Sequence, residues 1–265
     1  MNLSKEVRNI EDTYERINFL KDKFKDQTAY LITCGPSLTK LDHATLNKKL
    51  KGKLVIALKQ AYNYVKDVAT FHGMSCYGYQ PYEYTNDNTL VHWQLTAMNA
   101  QNEVYRIKEE WKHKHDILIP CYSTPWISME NTTAFSRKFN NFLAYKEGKI
   151  IWGPGILYET GIPLALHLGC KDIVTIGWDI GDLSKFKPEG GYKLGDNDWR
   201  KEHAEDLYAN GVHAGAGPDY VELKETIDCT KEMYDWFLQN KINFRILSNT
   251  NPADERFERI TLEDL

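Results

Sequence analysis

Apolar positions follow two rhythms along this chain. Val7, Ile10, Tyr14, Ile17, Phe19 and Leu20 recur at helical spacing, which predicts an amphipathic lead-in helix within residues 1–26, over residues 4–25. Short apolar runs bounded by charge, Gly or Pro follow. Thr28–Thr33, Lys53–Leu58, Ala69–Gly73, Asp116–Pro120, Lys171–Gly177 and Asn243–Ser248 each read as a strand. Helical spacing returns over Leu41–Leu50, Val91–Trp111, the segment from Ile156 to Leu168 (closed by Gly169), and Val221–Gln239. Strands alternating with helices predict an α/β fold, a Rossmann-like parallel sheet flanked by helices, as one domain over residues 1–265. Two stretches break the rhythm. Residues 74–150 are rich in Tyr, Trp, Asn and Thr and read as an aromatic-rich insertion. Residues 181–216 are rich in Gly and Asp with little apolar patterning, which predicts a lid or binding loop.

Composition narrows the partners. At 42% hydrophobic and 26% charged residues, the chain is of globular type. Its net charge of −4 provides no bulk attraction to nucleic acid or to an anionic membrane, and neither is expected as a partner. The Lys48–Lys53 cluster reads as a solvated helix end. No apolar run approaches the roughly 20 residues of a membrane span, and residues 1–26 lack the apolar core of a signal peptide. Cys34, Cys76, Cys121, Cys170 and Cys229 are isolated and odd in number, against a disulfide framework or a zinc site. A reducing, cytoplasmic location is expected.

In a parallel sheet, ligands bind beyond the carboxyl ends of the strands. The loops after Thr33, Leu58, Phe71, Gly177 and Ser248 should therefore converge. In Cys34-Gly35-Pro36-Ser37-Leu38, Gly35 permits close backbone approach and Pro36 suits a first helical position. Ser37 offers a hydroxyl and free backbone donors to an anion. The competing reading is a plain strand-to-helix turn with Ser37 as a cap. Gly153-Pro154-Gly155 opens the next well-defined helix and supports the same two readings. Gly177-Trp178-Asp179 puts an acid at a strand's carboxyl end, suited to ribose hydroxyls, an acceptor or a metal, or to capping the next turn. Asp196-Asn197-Asp198 is a short Asp-x-Asp match, which a solvated turn also explains. His213, among small residues before a helix, suits a general base because imidazole titrates near neutrality. His203 is a weaker candidate. His167 reads as structural, and His113 and His115 as solvated.

The segments Thr33-Cys34-Gly35-Pro36-Ser37-Leu38 and Leu168-Gly169-Cys170-Lys171-Asp172-Ile173-Val174-Thr175-Ile176-Gly177-Trp178-Asp179 resemble the bacterial sialyltransferases of glycosyltransferase family 42. They also resemble the related motility-accessory-factor and pterin-pyrophosphokinase-like proteins. The resemblance covers residues 28–73 and 150–252. It implies a Rossmann-like fold and metal-independent transfer from a CMP-activated sugar. It implies that Gly35, Pro36 and Ser37 lie beside the nucleotide phosphate. Lys59-Gln60 stands where the sialyltransferases carry Asn-Gln, and a lysine there would neutralise phosphate charge. His72-Gly73 replaces a third-strand Asn, and Gly155-Ile156 falls near a Ser-Gly pair. His213 matches the general base, and Tyr192 and Tyr208 are available as lid tyrosines.

The expected function is transfer of a sialic-acid-like or other ulosonic acid from a CMP donor to a hydroxyl of a glycan or small molecule. No cofactor is expected, and a homo-oligomer is compatible with the sequence. The catalytic set is His213 and Asp179. The nucleotide set is Cys34, Gly35, Pro36, Ser37, Lys59, Gln60, Gly73, Gly155, Ile156, Gly177 and Trp178. The alternative is a Mg²⁺-dependent pyrophosphokinase, in which Asp179, Asp182, Asp196 and Asp198 would matter more than His213.

Overall fold

The computed structural model describes residues 2–33, 35–74, 82, 84, 86–96, 116–121, 157–179, 220–248 and 251–265. The chain enters through two short helices, α1 (Leu3–Arg8) and α2 (Thr13–Leu20), where the sequence predicts one long helix. The break has a local cause. The Asp12 carboxylate accepts from the backbone N–H of Tyr14 at 2.8 Å and of Glu15 at 2.9 Å, starting a second helix.

Strands β1 (Thr28–Ile32), β2 (Leu54–Leu58), β3 (Phe71–Met74), β4 (Leu90–Thr96), β5 (Ile117–Cys121), β6 (Asp172–Ile176), β7 (Asn243–Leu247) and β8 (Glu258–Arg259) form one sheet. Their order is β5-β4-β3-β2-β1-β6-β7-β8, and each neighbouring pair is parallel. The chain thus steps outward from β1 to β5, returns to the other side of β1 as β6, and steps outward again. Strand order reverses between β1 and β6.

Segment Leu90–Thr96 corrects the helix expected over Val91–Trp111: it is a strand hydrogen-bonded to β3 on one side and β5 on the other. A strand buried between two parallel neighbours loses the in–out alternation that marks exposed strands. The two-residue β8 has too little sequence pattern to predict.

Residues on β1 and β2 alternate between two cores. Ala29, Leu31, Leu54, Ile56 and Leu58 face one layer with Val7, Ile17, Leu20 and the helix α5 (Ile162–His167). That layer also receives Cys229, Met233, Trp236 and Phe237 from α6 (Tyr220–Gln239). Tyr30, Ile32, Val55 and Ala57 face the other layer with Leu46 and Leu50 of α3 (His43–Leu50), and with Tyr62 and Val65 of α4 (Tyr62–Val65). Each fully buried Leu or Ile contributes about 1.5–3 kcal/mol. These paired layers hold the sheet rigid beneath its carboxyl edge.

The amino edge is tied by Asp172. Its carboxylate accepts from Thr28 Oγ1 at 2.6 Å, Asn243 Nδ2 at 2.9 Å and Arg245 Nη2 at 2.6 Å, joining the starts of β1, β6 and β7. Arg8 ties the lead-in helix to the far strands. Its Nε donates to Asp116 Oδ1 at 2.7 Å, and its Nη1 and Nη2 donate to the carbonyls of Asp87 at 2.6 Å and Thr89 at 3.0 Å. Asp116 is buried, and the hydrogen bond with it raises the Arg8 pKa. Truncation of Arg8 to Ala leaves that carboxylate with the Val91 N–H at 2.8 Å. We expect a loss of about 2–4 kcal/mol in urea unfolding, the buried-pair figure discounted because Arg8 is partly exposed. A loss below about 0.5 kcal/mol would show that solvent replaces the guanidinium.

Among the described residues, no helix is long and apolar enough to cross a membrane.

Candidate functional site

The all-parallel sheet puts the carboxyl ends of β1, β2, β3, β6 and β7 on one edge, as the loop positions predict. At a reversal of strand order, the connections leave toward opposite faces and open a crevice between them. Here the reversal falls between β1 and β6, where the fold rule expects that crevice.

The two strands stay paired just past their ends. Thr33 N–H donates to Ile176 C=O at 2.8 Å, and Gly35 N–H donates to Gly177 C=O at 2.7 Å. This contact admits no side chain at Gly35, where a Cβ would lie 2.2 Å from the Gly177 oxygen and 2.5 Å from Asp179 Oδ2. Gly177 has φ +75°, and a Cβ there would lie 2.5 Å from the Thr33 oxygen. A side chain at φ > 0 is disfavoured in its own right.

Beyond the two glycines the chains diverge. Residues Pro36–Lys40 form a 3₁₀ turn. Trp178 enters the core, edge-on to Phe244 with ring centroids 5.9 Å apart, and its carbonyl accepts from Asn251 Nδ2. Asp179 turns back over the crevice. Its Oδ2 accepts from the Ser37 backbone N–H at 2.5 Å, and its Oδ1 accepts from Ser248 Oγ at 3.2 Å. One carboxylate thereby links the ends of β1, β6 and β7. The backbone donor at Ser37, expected to be free for an external anion, is held by the protein's own carboxylate. The Ser37 hydroxyl is different: its oxygen is buried and makes no hydrogen bond among the described residues.

On the β2 side, Lys59 adopts φ +49° and opens a 3₁₀ turn over Lys59–Ala61. Gln60 is buried. The Lys59 carbonyl lies 2.9 Å from His72 Nε2, and the Tyr84 hydroxyl lies 2.7 Å from His72 Nδ1. A carbonyl only accepts, so Nε2 carries the proton and Tyr84 donates to Nδ1. The imidazole stacks on Tyr62 at 4.4 Å, and burial pushes its pKa down to about 3. His72 is therefore a neutral strut that fixes the left-handed turn at Lys59. At Gly73 an added Cβ would lie 2.7 Å from Leu58 Cδ2 and 3.1 Å from Thr160 Cγ2, so the Leu58 side chain would have to shift to admit it. Thr160 belongs to a π-helical turn, Leu157–Gly161, that precedes α5. Such turns recur at functional sites.

Of the residues read from sequence, the fold brings Gly35, Pro36, Ser37, Gly177 and Asp179 together, with Lys59, Gln60 and Gly73 along the same edge. Trp178 packs inward. His167 is structural, its Nε2 lying 2.7 Å from the Ile17 carbonyl. Cys34, Gly155, Ile156, His203, His213, Asp182, Asp196, Asp198, Tyr192 and Tyr208 lie outside the described residues. Sequence reasoning missed Ser248 as a partner of Asp179; its position at the end of the last strand was the available signal. It also missed the His72–Tyr84–Tyr62 stack, which joins three separate segments. Among the described residues, no group of three or more His, Cys, Asp or Glu side chains converges to hold a metal ion.

No protein-family profile matches this chain, and a search of curated proteins finds no match. Among solved structures, the chain is similar to the MAf glycosyltransferase from Magnetospirillum magneticum AMB-1, with a TM-score of 0.53 and 12% sequence identity. The match covers 100% of this chain and 39% of that one. At this identity the likeness concerns the fold.

Proposed function

We propose that this chain is a glycosyltransferase that binds a nucleotide-activated sugar, CMP-linked, in the crevice between β1 and β6. The observation that carries the proposal is the buried Ser37 hydroxyl, without a partner among the described residues, at the point where strand order reverses. Buried polar groups in folded proteins are ordinarily paired, so an orphan in a crevice fits a ligand that completes it. The fold shared with a structure named a glycosyltransferase and the Gly-Pro-Ser-Leu resemblance support the same assignment. In the reaction, His213 takes the proton from an acceptor hydroxyl. The hydroxyl oxygen bonds to the anomeric carbon as the bond from that carbon to the nucleotide phosphate breaks, and CMP leaves. General-base assistance is worth on the order of 10²–10⁴ in rate.

The test is a thermal-shift panel of CMP, CDP, UDP, GDP and ADP on the wild-type chain and the Ser37→Ala variant. CMP should stabilise the wild type, by about 2.7 kcal/mol at a hundredfold excess over Kd. In Ser37→Ala the free protein should be as stable as the wild type or about 0.5–1 kcal/mol more so, because an unsatisfied hydroxyl is removed. The stabilisation by CMP should shrink in the same variant. Absence of any nucleotide response in the wild type would end the proposal. CMP release from a CMP-sugar should survive EDTA; loss of activity in EDTA would favour the pyrophosphokinase chemistry instead.

A further inference from the structure

Because Asp179 already accepts the Ser37 backbone N–H, we infer that it reads the ribose hydroxyls of the nucleotide, and that the phosphate lies away from it, toward Lys59. This rests on the nucleotide reading above and gives the ligand a direction across the sheet edge.

The Ser37 N–H, the donor an incoming phosphate would need, points at Asp179 Oδ2 at 2.5 Å. A phosphate placed there would have to displace that carboxylate and then sit beside it, and two anions in contact repel. Asp179 has capacity of a different kind. A carboxylate offers about four acceptor sites, and the described partners, Ser37 N–H and Ser248 Oγ, take one on each oxygen. The residue is half-buried, so its carboxylate is not sealed from a ligand at the strand ends. An acceptor-only group of this kind selects hydroxyl donors, and two adjacent hydroxyls match the spacing of its two oxygens.

One described cation on this edge is Lys59, at the end of β2. It stands two strands from Asp179 in the order β2-β1-β6, about 10 Å by strand spacing. The left-handed turn that sets its backbone is buttressed by His72 from below. A nucleotide lying across β1 would then have its ribose over Asp179 and its phosphate near the Lys59 ammonium. The buried Ser37 hydroxyl sits between them.

The test compares CMP, cytidine and 2′,3′-dideoxy-CMP by calorimetric titration on the wild type, Asp179→Asn and Lys59→Met. On the wild type, removing the two hydroxyls should weaken binding at least tenfold, the range of a charge-assisted hydrogen bond. In Asp179→Asn that penalty should fall below about threefold, because a neutral amide accepts less strongly. In Lys59→Met, CMP should lose its advantage over cytidine while the hydroxyl penalty stays. Dideoxy-CMP binding the wild type as tightly as CMP would overturn the inference and leave the nucleotide site standing. So would an undiminished penalty in an Asp179→Asn protein with a wild-type circular dichroism spectrum. Failure of CMP itself to bind would remove both.

Discussion

Between about pH 8 and about pH 5, folding stability should fall by about 4 kcal/mol, with no carboxylate involved. The source is two histidines sealed in the sheet. His72 on β3 and His92 on β4 are fully buried, and burial pushes both down to about 3 from an ordinary 6.5. Each is neutral when folded and free to charge when unfolded. The unfolded chain therefore binds more protons between those two values. Stability is whole above about 6.5 and is lost as pH falls toward 3. Each histidine accounts for about 2 kcal/mol by pH 5. His167 is shifted the same way by burial and adds to the slope. Asp42, Asp254 and Asp264 have lowered values and also lose stability in acid, but only as pH approaches their ordinary 3.8. Urea unfolding at several pH values checks this. His72→Gln should flatten the dependence by about half at some cost in stability, because it removes one of the two groups. A flat profile from pH 8 to pH 5 would show that these imidazoles gain protons without opening the sheet.

The second large effect belongs to the two glycines that zip β1 to β6. Gly177→Ala should cost about 2–5 kcal/mol: a methyl in the left-handed region costs about 1–2 kcal/mol, and overpacking adds about 1–3 kcal/mol. The atom it meets is the Thr33 backbone oxygen at 2.5 Å, which cannot rotate away as a side chain can. Gly35→Ala tests the steric part alone, since Gly35 has φ −70° and its added methyl meets Gly177 O at 2.2 Å. Gly52→Ala is the control for the conformational part. Gly52 has φ +77° with nothing within 4 Å of an added Cβ, so about 1–2 kcal/mol is expected there. If Gly177→Ala costs no more than Gly52→Ala, then β1 and β6 separate easily at their ends. Both crevice variants should also lose nucleotide binding, because separating the strands moves Asp179 away from the Ser37 N–H.

The fold class was legible because it depends on local rhythm. Apolar runs such as Leu54–Leu58 and Asp172–Ile176 alternate with helical spacing, and that alternation alone implies parallel pairing. The placement of Gly35-Pro36-Ser37 and of Asp179 at the sheet's carboxyl edge was legible for the same reason: each follows the end of a clear strand. Local pattern failed at β4. Leu90–Thr96 carries no alternation to announce a strand, since hydrogen bonds to neighbours on both sides decide its state.

Only the tertiary structure decided which residues meet. Residues 37, 179 and 248 are far apart in sequence, and no spacing rule links them; the return of the chain to β6 beside β1 does. That return turned the loop at Ser37 from an open anion cradle into one whose backbone donor is filled by Asp179. The hydroxyl of Ser37 was left as the group still in need of a partner. The sequence by itself determined the α/β class with its parallel sheet, and the carboxyl edge on which the loops after β1, β2, β3, β6 and β7 converge. The crossing of strand order decided which loop ends meet, because hydrogen bonds between residues far apart in sequence depend on distances that only the assembled sheet defines.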